Sequence, residues 1–314
     1  MIGLLWLTVD LPSAFGRIAA AEPRWLLAGL ALVQLQIVLS AVRWRCTAAR
    51  LGHRLGCGLV VREYYVASLL NQVLPGGIGG DAARVVRNRS PADASLSRVA
   101  QGVVLERLAG QCSLIAVTLA GVVLWPLLLD EPPPRAGLLA LGGAIGIALL
   151  AAAGVSSLAA FGTPVLARRA ARVWPLVVRC WFDDGMWLVQ GALSVAVTAA
   201  YVGTFVLAAL AVGEPLPPAG WLTVVPLALA SMLLPISIGG WGLREAAAAA
   251  LWPLVGLAPG AGVATSVVYG LLSLLGSLPA IVFLTGPGEA LAKSDEIRKG
   301  EGRGGGRDPD SCGK

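Results

Sequence analysis

Two arginines occupy equivalent places in a repeated motif, and a guanidinium at either place could grip a phosphate. The stretch Leu74-Pro-Gly-Gly-Ile-Gly-Gly-Asp-Ala-Ala-Arg84 recurs 160 positions later as Leu234-Pro-Ile-Ser-Ile-Gly-Gly-Trp-Gly-Leu-Arg244, with six of eleven positions identical in register. In both copies a proline removes a backbone N–H and a glycine pair reaches φ values closed to other residues, so one helix ends and another begins. The expected breaks are Pro75, Gly79 and Gly80 in the first copy, and Pro235, Gly239 and Gly240 in the second. A helix that begins inside a membrane presents unpaired N–H groups and the positive end of its dipole, which suits an anion. Arg84 and Arg244 fall in the opening turn or so of the new helices and add bidentate donors matched to phosphate. The competing reading is structural: each arginine snorkels to an interface or pairs with a neighbouring acid, Asp81 or Glu245.

Other polar groups cluster around these breaks. Asp81 is expected to cap the first half-helix. Glu245 lies in the opening turn of the second, where the dipole favours an acid. Asn71, one turn before the first break, could bond freed backbone groups or a ligand. Glu106 and Arg107 stand a few residues inside a long apolar run, and Gly102, Glu106, Gly110 and Ser113 share one helical face. That small, polar stripe suits the interior of a helix bundle, either as part of a binding site or as an ion pair with the first motif. A charged residue at membrane depth is functional by default.

Several chemistries are disfavoured. One histidine and five scattered cysteines without a CxxC offer no metal or haem spacing, so no cofactor is expected. A GxxxxGK[ST] loop and a nucleophile elbow are both missing, so neither ATP hydrolysis nor a hydrolase activity is expected and the chain does not read as an enzyme. The net charge of +6 is no nucleic-acid signal, because the basic residues sit in short segments between apolar runs.

The elements that must hold these groups are membrane helices. The chain is 56% hydrophobic and 13% charged, with a mean hydropathy of +0.76, too apolar to clothe a soluble domain. Full spans are expected at Trp25–Val42, Val103–Leu127, Gly137–Ala160, Met186–Ala211 and Gly262–Thr285. Trp25, Trp44, Trp125, Trp187 and Trp252 fall near span ends, as interfacial tryptophans do. Residues 163–184 mix arginines with apolar residues and read as an interfacial amphipathic stretch.

Charge then orients the spans. Of the 24 basic residues, 19 fall in four groups: Arg43 to Arg62, Arg84 to Arg98, Arg168 to Arg179, and the tail from Lys293. Placing those groups and the C-terminus in the cytoplasm satisfies the positive-inside rule. Arg62 and Arg87 flank the first motif, which must therefore enter and leave on one face as a re-entrant hairpin. Three spans separate it from the second motif, which must then enter from the other face. The expected fold is an all-α polytopic bundle of about five spans plus two oppositely oriented broken-helix hairpins, an inverted repeat whose breaks meet at its centre. It divides into a short N-terminal apolar segment (1–24), a transmembrane domain (25–285) and a disordered cytoplasmic tail (286–314).

Four motifs in order carry a resemblance: Arg43-Trp44-Arg45, Asn71 through Arg84, Leu105-Glu106-Arg107, and Pro235 through Glu245. Together they resemble the flippase-like membrane domain family, the transmembrane region of bacterial lysylphosphatidylglycerol synthases, over about residues 20–285. The resemblance implies a multi-pass protein of the bacterial cytoplasmic membrane that translocates an anionic phospholipid or lipid-linked headgroup. Its partners would be membrane lipids. The alternative is a non-catalytic membrane partner of a cytosolic-facing lipid-modifying enzyme or glycosyltransferase. The aminoacyl-transferring soluble domain of the synthases has no counterpart here, and Met1–Val9 stands where the family has a complete helix. Lysine transfer is therefore not expected.

Overall fold

The computed structural model describes residues 11–74, 77–88, 96–128, 174–233 and 237–285, and among them the chain is all helical. Four helices are long and apolar enough to cross a membrane. The helix α1 is Leu11–Ala19, and α2 is Pro23–Arg50. Pro23 suits the first helical position, where its missing N–H costs nothing. At 1.5 Å per residue the 28 residues of α2 span about 42 Å, more than a hydrocarbon core needs. The others are α5 (Leu96–Leu128), α7 (Met186–Ala211) and α11 (Pro259–Ser277), which continues into α12 (Ala280–Thr285). These match four of the expected spans. The fifth, at 137–160, lies outside the described residues, as do residues 1–10, the tail from 286, Pro75 and Pro235.

Contacts at helix ends fix the directions. Glu22 N–H donates to the Ala211 carbonyl at 2.9 Å on one face. On the other, Arg50 Nη1 donates to Asp184 Oδ2 at 2.6 Å. So α2 and α7 run antiparallel. Helix α11 runs parallel to α2: Gly29 faces Leu272, Gly276 faces Val33, and Gln34 Nε2 donates to the Gly276 carbonyl at 3.0 Å. Glycine at such positions lets helices approach closely where no hydrophobic drive between them exists. Helix α5 starts on the Arg50 face, with Gly102 against Leu51, and Ser113 meets Thr198 of α7 at 2.9 Å.

Two hairpins enter this frame from opposite faces. Helix α3 (Cys57–Val73) leaves the Arg50 face, and α4 (Gly79–Arg87) returns to it. Arg87 Nε reaches Glu63 at 2.9 Å near the base, and Gly80 lies so close to α3 that a Cβ would land on the Ala67 carbonyl. On the other side, α8 (Pro218–Leu222), α9 (Val224–Ala230) and a 3₁₀ turn at Ser231–Leu233 lead inward. Helix α10 (Leu243–Leu251) leads back, ending where Val255 sits beside Gly220. The second tip turns through left-handed φ angles at Gly239 (55°) and Gly240 (84°), which only glycine adopts without strain. The tips meet: a Cβ on Gly239 would stand 2.8 Å from the Gln72 carbonyl oxygen. The inverted pair of re-entrant hairpins is therefore a feature of the fold.

Three tryptophans depart from expectation. Trp44, Trp125 and Trp252 are buried in the bundle, whereas Trp187 is exposed and Trp25 half-buried. Hydropathy ends a span where the apolar run ends, but α2 continues to Arg50 past Val42, so Trp44 stays inside. Trp252 packs on Phe205 with ring centroids 5.6 Å apart. Of the amphipathic stretch at 163–184, the described part forms α6 (174–181) and a 3₁₀ turn at Asp183–Gly185. There Cys180 is buried against Leu51 and Leu105 while Trp174 is exposed.

The contact at Gly80 yields a stability test. Gly80→Val should destabilise the protein by about 3 kcal/mol, the upper end for overpacking, read as a lowered midpoint of thermal unfolding in detergent. Gly58→Ala, in the same hairpin with open space around it, should leave the midpoint unchanged or raise it slightly.

Candidate functional site

Glu106 on α5 is 1% exposed and gathers hydrogen-bond donors from three other helices, two of them charged. Its Oε1 accepts Arg43 Nη2 at 2.7 Å, Arg43 Nε at 3.2 Å and the Tyr64 hydroxyl at 3.1 Å, while Oε2 accepts Arg84 Nη2 at 3.3 Å. Arg84 Nη2 also donates to Asp81 Oδ1 at 2.5 Å. The other oxygen of Asp81 accepts Arg107, whose Nη2 donates to the Gly77 carbonyl at 2.9 Å. Arg43 Nη1 reaches Ser194 of α7 at 3.2 Å. Three arginines and two carboxylates thus form one network with a formal charge of +1. Burying such charges is tolerable only because each is paired and hydrogen-bonded.

The Arg84 guanidinium lies between two aromatic rings, 4.9 Å from the Trp44 centroid and 4.5 Å from that of Tyr64. Ring quadrupoles attract a cation there. Its Nε and Nη1 are buried without a hydrogen-bond partner among the described residues. A guanidinium with idle donors in a dry setting is costly unless a ligand supplies the acceptor.

Asp81 does not cap its helix. Ile78 holds the cap position with no side-chain bond, and Asp81 sits inside the first turn. Two guanidinium partners outcompete a neutral backbone N–H for a carboxylate. The break is satisfied from the other arm instead: Asn71 Oδ1 accepts Gly80 N–H at 2.8 Å.

The second motif repeats the first in miniature. Arg244, fully buried, lies between Trp241 (5.2 Å) and Tyr269 (4.8 Å). Its Nη2 donates to Glu245 Oε1 at 2.8 Å and its Nε to Ser266 Oγ at 2.8 Å, with Nη1 against the Met232 sulfur. Glu245 Oε2 accepts Gly242 N–H at 2.5 Å and so closes the start of α10. In this copy the arginine and its acid neutralise each other.

Between the two tips lies a cavity of about 450 Å³, within the size range of small-molecule sites. One end is walled by the Arg43, Arg84, Arg107, Asp81 and Glu106 network. Gln36, Gln111, Thr198 and Ser273 come from near the midpoints of α2, α5, α7 and the α11–α12 span, so the cavity sits about halfway along the spanning helices. Arg43 lies seven residues from Gln36, which places the charged end about 10 Å toward the Arg50 face. Asn71, Gly77, Gly239 and Gly240 line it as well.

A symmetric clamp of Arg84 and Arg244 is not what forms. Arg244 and Glu245 stand behind Met232, Gly240 and Tyr269, which form the cavity wall, and Arg244 has no idle donor to offer. The first-motif residues Asn71, Asp81 and Arg84, with Glu106 and Arg107, are the sequence candidates that do converge on the cavity. Sequence reasoning missed Arg43, Gln36 and Thr198. A signal existed: Gln36, Ser40, Arg43 and Thr47 recur at helical spacing along α2, and Gln190, Ser194 and Thr198 do so along α7.

Glu106→Ala should cost about 3–5 kcal/mol, because it strands two buried guanidiniums. Glu214→Ala, which removes the half-buried pair with Arg17, should cost at most about 1 kcal/mol. Thermal unfolding of the two variants side by side would show the gap.

In comparisons with known proteins, the family model described as the lysylphosphatidylglycerol synthase TM region matches residues 1–280. No curated protein matches the chain.

Proposed function

The chain belongs to the family of lysylphosphatidylglycerol synthase transmembrane regions, and we propose on that footing that this multi-pass membrane protein translocates an anionic phospholipid or lipid-linked headgroup across the bacterial cytoplasmic membrane. The observation that carries the reading is the cavity halfway along the spanning helices, lined by Arg84, whose Nε and Nη1 are buried without a partner among the described residues, and by the half-exposed Arg107. Taking a charged headgroup through hydrocarbon is opposed by several kcal/mol. A polar, net-cationic chamber halfway across divides that barrier in two. The phosphate would meet the guanidiniums of Arg84 and Arg107, sharing the latter with Asp81, while the acyl chains stay in the bilayer.

The inverted hairpins supply the means of alternating access. Each is anchored on its own face, and rocking one tip against the other would expose the cavity to one side at a time. The basic Arg50 face and the C-terminus would be cytoplasmic. Energy would come from the lipid gradient or an ion gradient, since the chain carries no nucleotide-binding loop.

The test is reconstitution into liposomes holding a fluorescent phosphatidylglycerol, with dithionite quenching to time its appearance in the outer leaflet. Arg84→Ala and Arg107→Ala should each slow translocation about tenfold or more, the loss of one charge-assisted contact. Arg244→Ala should lower the yield of folded protein yet leave the rate per folded molecule near wild type. Wild-type rates in both cavity variants would overturn the assignment.

A further inference from the structure

One helical turn beyond Arg84, toward the Arg50 face, a second cluster of charges closes the base of the first hairpin. Glu63 of α3 is almost fully buried and accepts two N–H groups from each of two arginines. Arg62 donates to Oε1 from Nε at 3.2 Å and from Nη2 at 2.9 Å. Arg87, at the end of α4, donates from Nε to Oε2 at 2.9 Å and from Nη2 to Oε1 at 3.2 Å. Both arginine side chains are about a quarter exposed, and neither they nor Glu63 line the cavity. One acid thus fixes two guanidiniums side by side at the bundle surface, with a net charge of +1. Planar forks held in place in this way are matched to a phosphate. A buried ion triad is not needed to close a hairpin, since apolar residues of like volume would hold it as well.

Depth and surroundings suit a lipid. Arg84 shares Glu106 with Arg43, about 10 Å inside the end of α2, and Arg87 lies about 4.5 Å nearer that end. Helix α2 is longer than a hydrocarbon core, so Arg87 stands close to the level of the headgroups. Beside the pair the surface is apolar. Leu59 is exposed one turn before Arg62, and Ile78, Ala82 and Val86, four residues apart along α4, are all exposed. That spacing makes them one stripe. Ile78, at its inner end, also lines the cavity. The stripe therefore leads from the arginine pair to the cavity over about 12 Å of helix.

We propose that the base of the first hairpin is a second lipid site. The phosphate of a phospholipid in the leaflet on the Arg50 face rests on Arg62 and Arg87, while an acyl chain lies along Val86, Ala82 and Ile78. The site grips the phosphate and leaves the rest of the headgroup in water. Resting on the translocase reading, it is also the place from which a lipid is handed to the cavity. The phosphate passes from Arg87 to Arg84, one turn deeper, and so is never left without a cation where hydrocarbon would oppose it. The chain meanwhile keeps to the stripe. A soluble phosphate ester would meet the same guanidiniums but has nothing to lay along the stripe.

The experiment places the full chain in liposomes with trace phosphatidylglycerol carrying a diazirine high on one acyl chain, and maps the photo-crosslinks by peptide mass spectrometry. Labelling should fall on Ala82 and Val86, about tenfold above that from the matching diacylglycerol, which lacks the phosphate. The triple variant Arg62→Ala, Glu63→Ala, Arg87→Ala removes the acid with its partners and should erase that excess. Val86→Glu, at an exposed position, should cut it too by setting an acid beside the phosphate. Arg84→Ala should keep the excess, which separates the outer site from the cavity. In the dithionite assay the triple variant should be slow at low phosphatidylglycerol and recover at high, as loss of a loading site predicts. Equal labelling by the two lipids in the wild type, or an excess that survives in both outer-site variants, would overturn the site. An excess displaced by glycerol 3-phosphate would overturn the lipid as its occupant. A triple variant slowed equally at every lipid concentration, or at none, would overturn the handover alone. A wild-type chain that labels on α4 but moves no lipid would bring down the translocase reading and leave the site standing.

Discussion

A helix that stops halfway across a membrane leaves backbone N–H and C=O groups with no water to satisfy them, and the rest of this structure is arranged around that constraint. Two helices stop here, and each break is paid for locally. Asn71 accepts the Gly80 N–H, Arg107 donates to the Gly77 carbonyl, and Glu245 accepts the Gly242 N–H. Such tips survive only where protein or a polar cavity surrounds them. The spanning helices accordingly enclose both, and the tips abut at Gly239 and Gln72. The cavity is thus a consequence of how the chain is broken, before any question of cargo arises.

The two motifs then diverge in use. Each places its arginine between a tryptophan and a tyrosine and against an acid, so the local architecture is shared. The difference lies in the balance of charge. Arg244 meets one carboxylate and a serine, is satisfied, and serves as a pillar behind the wall. Arg84 joins a network with more arginines than acids, lines the cavity, and keeps two buried donors without a partner among the described residues. Buried charge is poor evidence for stability, because a well-packed apolar cluster of the same volume would serve as well or better. The retention of five charges at one end of a membrane cavity is therefore better explained by a ligand than by folding.

Much of this was legible in the sequence because bilayer physics is severe. Apolar run length placed four spans seen in the structure, and the Leu-Pro-x-x-Ile-Gly-Gly repeat located both tips. The bias of arginines to one face dictated that the hairpins oppose each other. Part of what escaped did so for a recurring reason: hydropathy marks where hydrocarbon ends, while helices run on. Helix α2 continues to Arg50, which turns Arg43 from a loop charge into a site residue and Trp44 from an interfacial anchor into the ring under Arg84. Helix α5 starts at Leu96, so Glu106 lies almost three turns inside it. Asp81 was legible as an acid at the start of a half-helix, where a cap was expected, but not as the partner of two arginines, since Arg107 meets it only in three dimensions. Equivalence in sequence likewise could not reveal that Arg244 would be sealed from the cavity by Met232 and Tyr269.

The most direct test is a cryo-electron microscopy structure of the full chain in nanodiscs of phosphatidylglycerol. A lipid phosphate should appear in the cavity between the two glycine tips, within hydrogen-bond distance of Arg84 and Arg107, with its acyl chains reaching outward into the bilayer. A cavity holding only solvent, with ordered lipid confined to the outer surface of the bundle or gathered at Arg244, would contradict it.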